Sequence, residues 1–137
     1  MDSTLSLIGL ALRAGKLAVG EEPCALVCRA RDCRLLLLLA SDAGASTLRR
    51  AQRMAEEGQC LTLTLPWDRE ALGGALGRNV CAVAAVTDLG LAKAVAEKLA
   101  AADMARYGET AERLRLKEQR ARQRRQEKPR PAAKRKK

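Results

Sequence analysis

The sequence predicts an α/β domain: a three-layer α-β-α sandwich with a four-stranded mixed sheet, helices on both faces, and a basic C-terminal extension. Three observations predict it. Segments with apolar residues at helical spacing alternate with short apolar runs of strand length. One such run, "LLLLLA" at residues 35–40, shows no polar alternation, so a strand there must be covered on both faces. After residue 108 the apolar pattern thins and arginine and lysine take over.

The elements follow in order. "STLSLIGLALR" (3–13) places Leu5, Ile8 and Leu12 at helical spacing, with Ser3 as its cap and Gly15 as its stop. "KLAV" (16–19) is a short extended piece leading to Gly20. "EEPCALVCRAR" (21–31) reads as a helix, because proline and acidic residues suit a first turn. "CRLLLLLASD" (33–42) is the buried strand, and its shortness and the turn-like "SDAGAS" after it decide against a helix. "STLRRAQRMAEE" (46–57) is a helix with Leu48, Ala51, Met54 and Ala55 inward, ended by Gly58. "QCLTLTLP" (59–66) alternates with period two, as a half-buried strand does. A short helix (68–76) and a strand of small residues, "VCAVAAV" (80–86), come next. Thr87 and Asp88 then cap a helix whose stripe is Leu91, Ala92, Val95, Leu99 and Ala102.

These assignments place the sandwich at 1–108 and a basic tail at 109–137, partly helical or disordered. In the tail only Ala111, Leu114 and Leu116 are available to anchor a helix, and a helix with so little to bury is marginal alone.

The 137-residue chain has a formal charge of +10, and it is unevenly spread. Residues 1–112 carry 13 Lys and Arg against 14 Asp and Glu, whereas residues 113–137 carry 13 against 2. Such asymmetry predicts a polyanionic partner, nucleic acid first among them. The expected phosphate contacts are Arg113, Arg115, Lys117, Arg120, Arg122, Arg124, Arg125, Lys128, Arg130, Lys134, Arg135, Lys136 and Lys137. With one Trp, one Tyr and no Phe, a stacking platform for single strands is excluded.

Other classes find little support. The chain has no His, so the commonest general base is missing, and no nucleophile–base pair stands out. The glycines of "LGGALG" (72–77) lack the Lys-Ser/Thr of a phosphate loop. Asp42 and Asp88 sit at strand ends, where turn and helix capping is their ordinary use. Cys24, Cys28, Cys33, Cys60 and Cys81 have no C-x-x-C spacing and read as structural thiols of a reducing compartment. The expectation is a non-enzymatic protein with no cofactor, no metal and no small-molecule substrate. Residues 1–20 lack the pattern of a secretory signal, and the longest apolar run is far short of the ~20 residues of a membrane span. The protein is therefore expected in the cytoplasm, away from membranes.

"LGLALRAGKLAVGEE", "LLLLLASDAGAST", "LGGALGR" and "CAVAAVTDLGLAKAV" occur in an order that resembles the kink-turn-binding ribosomal protein superfamily, in particular its small bacterial YlxQ subgroup. The resemblance covers about residues 4–100 and implies an α-β-α sandwich that binds structured RNA. It implies RNA contacts at the junction Gly15–Pro23 and in the loop Gly77–Cys81, with Lys16, Gly20, Glu21, Glu22, Arg78, Asn79 and Val80 as site residues. Where the family has Gly-x-Asn-Glu and a lysine three residues on, this chain has Gly20, Glu21, Glu22, Pro23 and Leu26, with Ala18 and Val19 in place of flanking lysines. Glu21 and Glu22 can both cap and complement the dipole of the helix they begin, and Glu22 can besides accept hydrogen bonds from a guanine edge; the two readings stand open.

The expected partners are structured RNA, ribosomal RNA in the first instance, and ribosomal proteins. The rival expectation is a protein-interaction adaptor on the ribosome, motivated by the missing lysines at 18, 19 and 26.

Overall fold

The computed structural model describes residues 3–30 and 35–127. The beginning of the expected strand at 33–34, the helix end at Arg31, and Lys128, Arg130, Lys134, Arg135, Lys136 and Lys137 lie outside the described residues. The order is α1 (Ser3–Arg13), β1 (Leu17–Val19), α2 (Glu21–Arg29), β2 (Leu36–Leu39), α3 (Ala45–Gly58), β3 (Leu61–Thr64), α4 (Arg69–Ala75), β4 (Val83–Val86), α5 (Leu89–Ala102) and α6 (Met104–Glu127).

The sheet is mixed and open, in the order β1-β4-β2-β3. β4 pairs antiparallel with β1 (Leu17 opposite Val86) and with β2 (Leu38 opposite Ala84), and β3 pairs parallel with β2 (Leu36 beside Leu61). Strands β1, β2 and β3 therefore run the same way, so α2, α3 and α4, which follow them, all begin at one end of the sheet. That end carries the candidate site.

The pleat sorts the leucine run to two cores. Leu36 and Leu38 face a layer containing Leu5 and Ile8 of α1, Leu72 of α4 and Val95 and Leu99 of α5. Leu35, Leu37 and Leu39 face Cys24 and Cys28 of α2 and Ala51 and Met54 of α3. A strand between two helical layers needs no polar face, which is why its sequence does not alternate.

Several ends are set as expected. Gly15, at φ 75°, closes α1: its N–H donates to the Leu12 carbonyl (3.0 Å), and the next N–H, of Lys16, donates to that of Ala11 (2.8 Å). Asp88 caps α5 by accepting from Leu91 N (2.9 Å), and Asp68, which the sequence does not mark as a cap, does the same for α4 by accepting from Ala71 N (2.8 Å). Asp42 accepts the Arg69 amide at 2.8 Å and tethers the start of α4 to the β2 exit.

Other positions differ from the expectation. Gly58 does not make the turn after α3; Gln59 does, at φ 54°. Gly58 is instead a contact surface, since a Cβ there would lie 3.1–3.3 Å from Cys28. Leu48 is 42% exposed because α3 leaves the neighbouring face of edge strand β3 open, forming a groove of about 410 Å³ lined also by Gln52, Glu56, Cys60 and Thr62. On α5, Ala102 is exposed, and Ala96 and Ala100 turn inward in its place. The last strand starts at Val83, while Val80 is exposed and packs its backbone against Gly73, where a Cβ would come within 2.7 Å.

The expected boundary at residue 108 falls inside α6, which passes it without a break. Tyr107, Ala111 and Leu114 are buried in the main core, and Ala121 packs against its margin. The Tyr107 hydroxyl donates to the Thr64 carbonyl of β3 (2.7 Å), and Lys93 of α5 pairs with Glu118 (3.1 Å). Tyr107, Ala111 and Leu114, at i, i+4 and i+7, face α5 and the edge strand, so the part of the expected tail that carries Ala111 and Leu114 belongs to the folded unit.

Candidate nucleic-acid interface

The two segments expected to meet RNA lie side by side. Gly20 leaves β1, and its amide donates to the Val83 carbonyl at 3.0 Å, just where the Arg78–Cys81 loop enters β4. Cys81 is fixed in turn by its amide bond to the Arg69 carbonyl (2.9 Å). Arg78, Asn79 and Val80 are exposed beside the first turn of α2, held there by the β1–β4 ladder.

Gly20 has φ 98° and ψ 165°, a conformation open in practice to glycine alone. A Cβ added there would meet only the Pro23 ring at 3.8 Å, so the residue is demanded by backbone shape and not by crowding. No side chain caps α2 at Gly20 or α3 at Gly44. The first amides of both helices are thus turned outward at the same end of the sheet, carrying the partial positive charge of two helix dipoles.

The adjacent carboxylates have separate fates. Glu21 reaches across to α3, accepting from the Thr47 hydroxyl at 2.9 Å and pairing with Arg50 at 2.6 Å. It ties two helices together. Glu22 is exposed with no partner among the described residues, and Arg78 is exposed with no acidic partner among them, its charge acting on the Cys81 thiol. The signal for Glu21 is tertiary, and no spacing within "GEEP" could have revealed Thr47 and Arg50.

Lys16 is also set apart. Its carbonyl accepts the Thr87 amide (2.9 Å) at the far end of β1, about 13 Å along the strand from Gly20. Leu26 (64% exposed) and Pro23 lie on the open side of α2, and Val80, one of the expected contacts, is 55% exposed, so Leu26 is an apolar rim member outside the expected set. Trp67 is half-buried where β3 exits at this same end, and its carbonyl accepts the Ser41 amide (2.8 Å).

The thiols are protected. Burial pushes Cys24 up to about 12 from 9.0, assisted by the neighbouring Cys28, and its Sγ donates to the Ala18 carbonyl at 3.6 Å. Burial likewise takes Cys60 to about 12, and raises Cys28 and Cys81. Thiols that resist ionisation are poor nucleophiles. Among the described residues no group of three or more His, Cys, Asp and Glu side chains is placed to hold a metal ion.

No family model matches the chain, and no curated protein does. A solved structure described as a protein of unknown function from Bacillus halodurans C superposes with a TM-score of 0.63 at 31% identity, over 71% of this chain and 96% of that one. The chain belongs to the family of that protein. Among the described residues no helix is long and apolar enough to cross a membrane.

Proposed function

We propose that the protein is a non-catalytic RNA-binding protein of the cytoplasm, associated with the ribosome or another structured RNA, and that its basic C-terminal part contacts phosphates. The observation that carries this reading is the meeting of Gly20–Pro23 with Arg78–Cys81 at the end of the sheet where two uncapped helices begin. Outward amides and helix dipoles suit phosphate, and the bare backbone at Gly20 allows close approach. Glu22 is free to accept from a base edge exposed by a kink, which regular A-form RNA keeps out of reach. The net charge of +10 supplies the long-range attraction. The likeness of "LAVGEE" and "LGGALGR" to kink-turn-binding proteins points the same way.

The test is binding of the full chain to a kinked RNA across a salt series. With six to ten phosphates engaged, affinity should fall by roughly 10³–10⁵ between 50 and 200 mM salt. Trp67, at the same end of the sheet, offers a fluorescence signal. A flat salt profile, or no binding in dilute buffer, rules the reading out.

The exposed Leu26 and Val80 favour a second reading, in which this rim docks on a ribosomal protein and the basic segment rests on RNA. Retention of a protein partner by the Gly20→Ala variant, with no measurable affinity of the native chain for kinked RNA, would select it.

A further inference from the structure

The cations of α6 are not spread evenly around the helix. Arg113, Lys117, Arg120 and Arg124 recur at i, i+4, i+7 and i+11, which puts them on one stripe about 16 Å long. Arg115 and Arg122 occupy the other flank, where both are paired within the helix, to Glu112 (2.6 Å) and Glu118 (3.1 Å), and on the stripe itself Arg113 is paired to Glu109 (2.9 Å). Arg120 and Arg124 are exposed and have no acidic partner among the described residues.

The stripe has a definite place in the fold. Tyr107 bonds Thr64 at the exit of β3, and Lys117 lies near enough to the Cys60 thiol at the entrance of β3 to ease its ionisation. The helix therefore runs antiparallel along the edge strand, with the stripe on the β3 side and Arg115 toward Glu97 of α5. The candidate mouth is at the β1–β4 edge of the sheet. Three strand spacings, about 14 Å, separate the two edges, and α6 carries its last arginines toward the opposite end of the strands.

We propose that this stripe is a second RNA contact, a ridge that grips the phosphate backbone of a regular double-stranded segment distinct from the segment seated at the mouth. Regular spacing of cations over a straight helix complements the regular charge of a duplex. The stripe includes no aromatic residue, and Tyr107 is buried with its hydroxyl engaged, so nothing here can stack on an unpaired base. Recognition by the ridge is therefore indifferent to sequence, and discrimination rests with the mouth. The inference depends on the chain being an RNA binder and names the form of RNA that its second surface takes.

The experiment uses the full chain and a blunt RNA duplex of about 16 base pairs without loops or bulges, the span that backbone-reading domains cover. Arg120→Gln/Arg124→Gln should weaken duplex binding about tenfold and lower the salt slope by about 2, one unit for each lost phosphate contact. Arg115→Gln/Arg122→Gln removes the same charge from the same stretch of helix and should cost clearly less. Arg49→Gln/Arg53→Gln, on the solvent side of α3, should leave affinity within about twofold, as expected of charges that touch no phosphate. All six arginines are exposed, and thermal melting confirms that each variant folds. Equal losses from the two α6 pairs overturn the proposal, as does binding to anionic lipid vesicles but not to the duplex. Loss of preference for kinked RNA with stripe-dependent duplex binding intact would refute the mouth alone and uphold the ridge.

Discussion

At the scale of single residues, two neighbouring glutamates show how a fold divides similar side chains between jobs. Glu21 is held by Thr47 and Arg50, while Glu22 points into solvent one residue on. Because Arg50 is about half exposed, screening limits the ion pair, and Glu21→Ala should cost about 0.5–1 kcal/mol of stability in urea unfolding. Glu22→Ala should stay within about 0.5 kcal/mol of the native chain, as surface substitutions do. The order reverses for RNA: affinity for a kinked RNA should respond to Glu22→Ala and hardly to Glu21→Ala. A stability loss at Glu22 with unchanged affinity would show that it serves the helix and not a ligand.

At the scale of elements, α6 is the instructive case. Leu114 is fully buried between α5 and the sheet, so Leu114→Ala should destabilise the whole domain by about 2–5 kcal/mol, readable as a fall in the urea midpoint with an unchanged slope. A helix that hung free of the domain would lose helicity alone and leave that midpoint in place. The composition of residues 109–127 hid this outcome. Its mean character is that of a solvated basic helix, and the three apolar positions that dock it count only once the edge strand they cover is known. The elements before it were far easier to read, because each carries a local cause: a glycine at φ 75° after α1, an aspartate at the start of α5, and an unalternating leucine run. The two halves of the candidate site, at Gly20 and at Arg78–Val80, are implied by the resemblance of their motifs to the kink-turn-binding family and not by composition or spacing. Their adjacency, the diversion of Glu21 to α3 and the separation of Lys16 follow from strand order, which no stretch of sequence encodes by itself.

At the scale of the whole molecule, the design separates a nearly neutral sandwich from a strongly basic flank, and the core beneath both is unusually rich in thiols. Its response to pH follows from them. Burial keeps Cys24 protonated up to about 12 in the folded protein, whereas in the unfolded chain it ionises near 9.0. Above that lower value the unfolded state binds fewer protons than the native state, so stability falls as pH rises, by up to about 1.4 kcal/mol per pH unit for this thiol. Below pH 8 both states hold the proton, and this contribution is fully present and constant. Raising the pH also lessens repulsion among the lysines, which opposes the trend, so the native chain alone is an ambiguous witness. Cys24→Ala removes one buried thiol while leaving every surface charge in place. It should be less stable than the native chain at pH 7, through the lost packing of a fully buried side chain, yet its unfolding free energy should decline less steeply between pH 8.5 and pH 10 under reducing conditions. Parallel declines in the two proteins would mean that the thiol ionises as readily in the core as in water, which its burial between α2 and the sheet forbids.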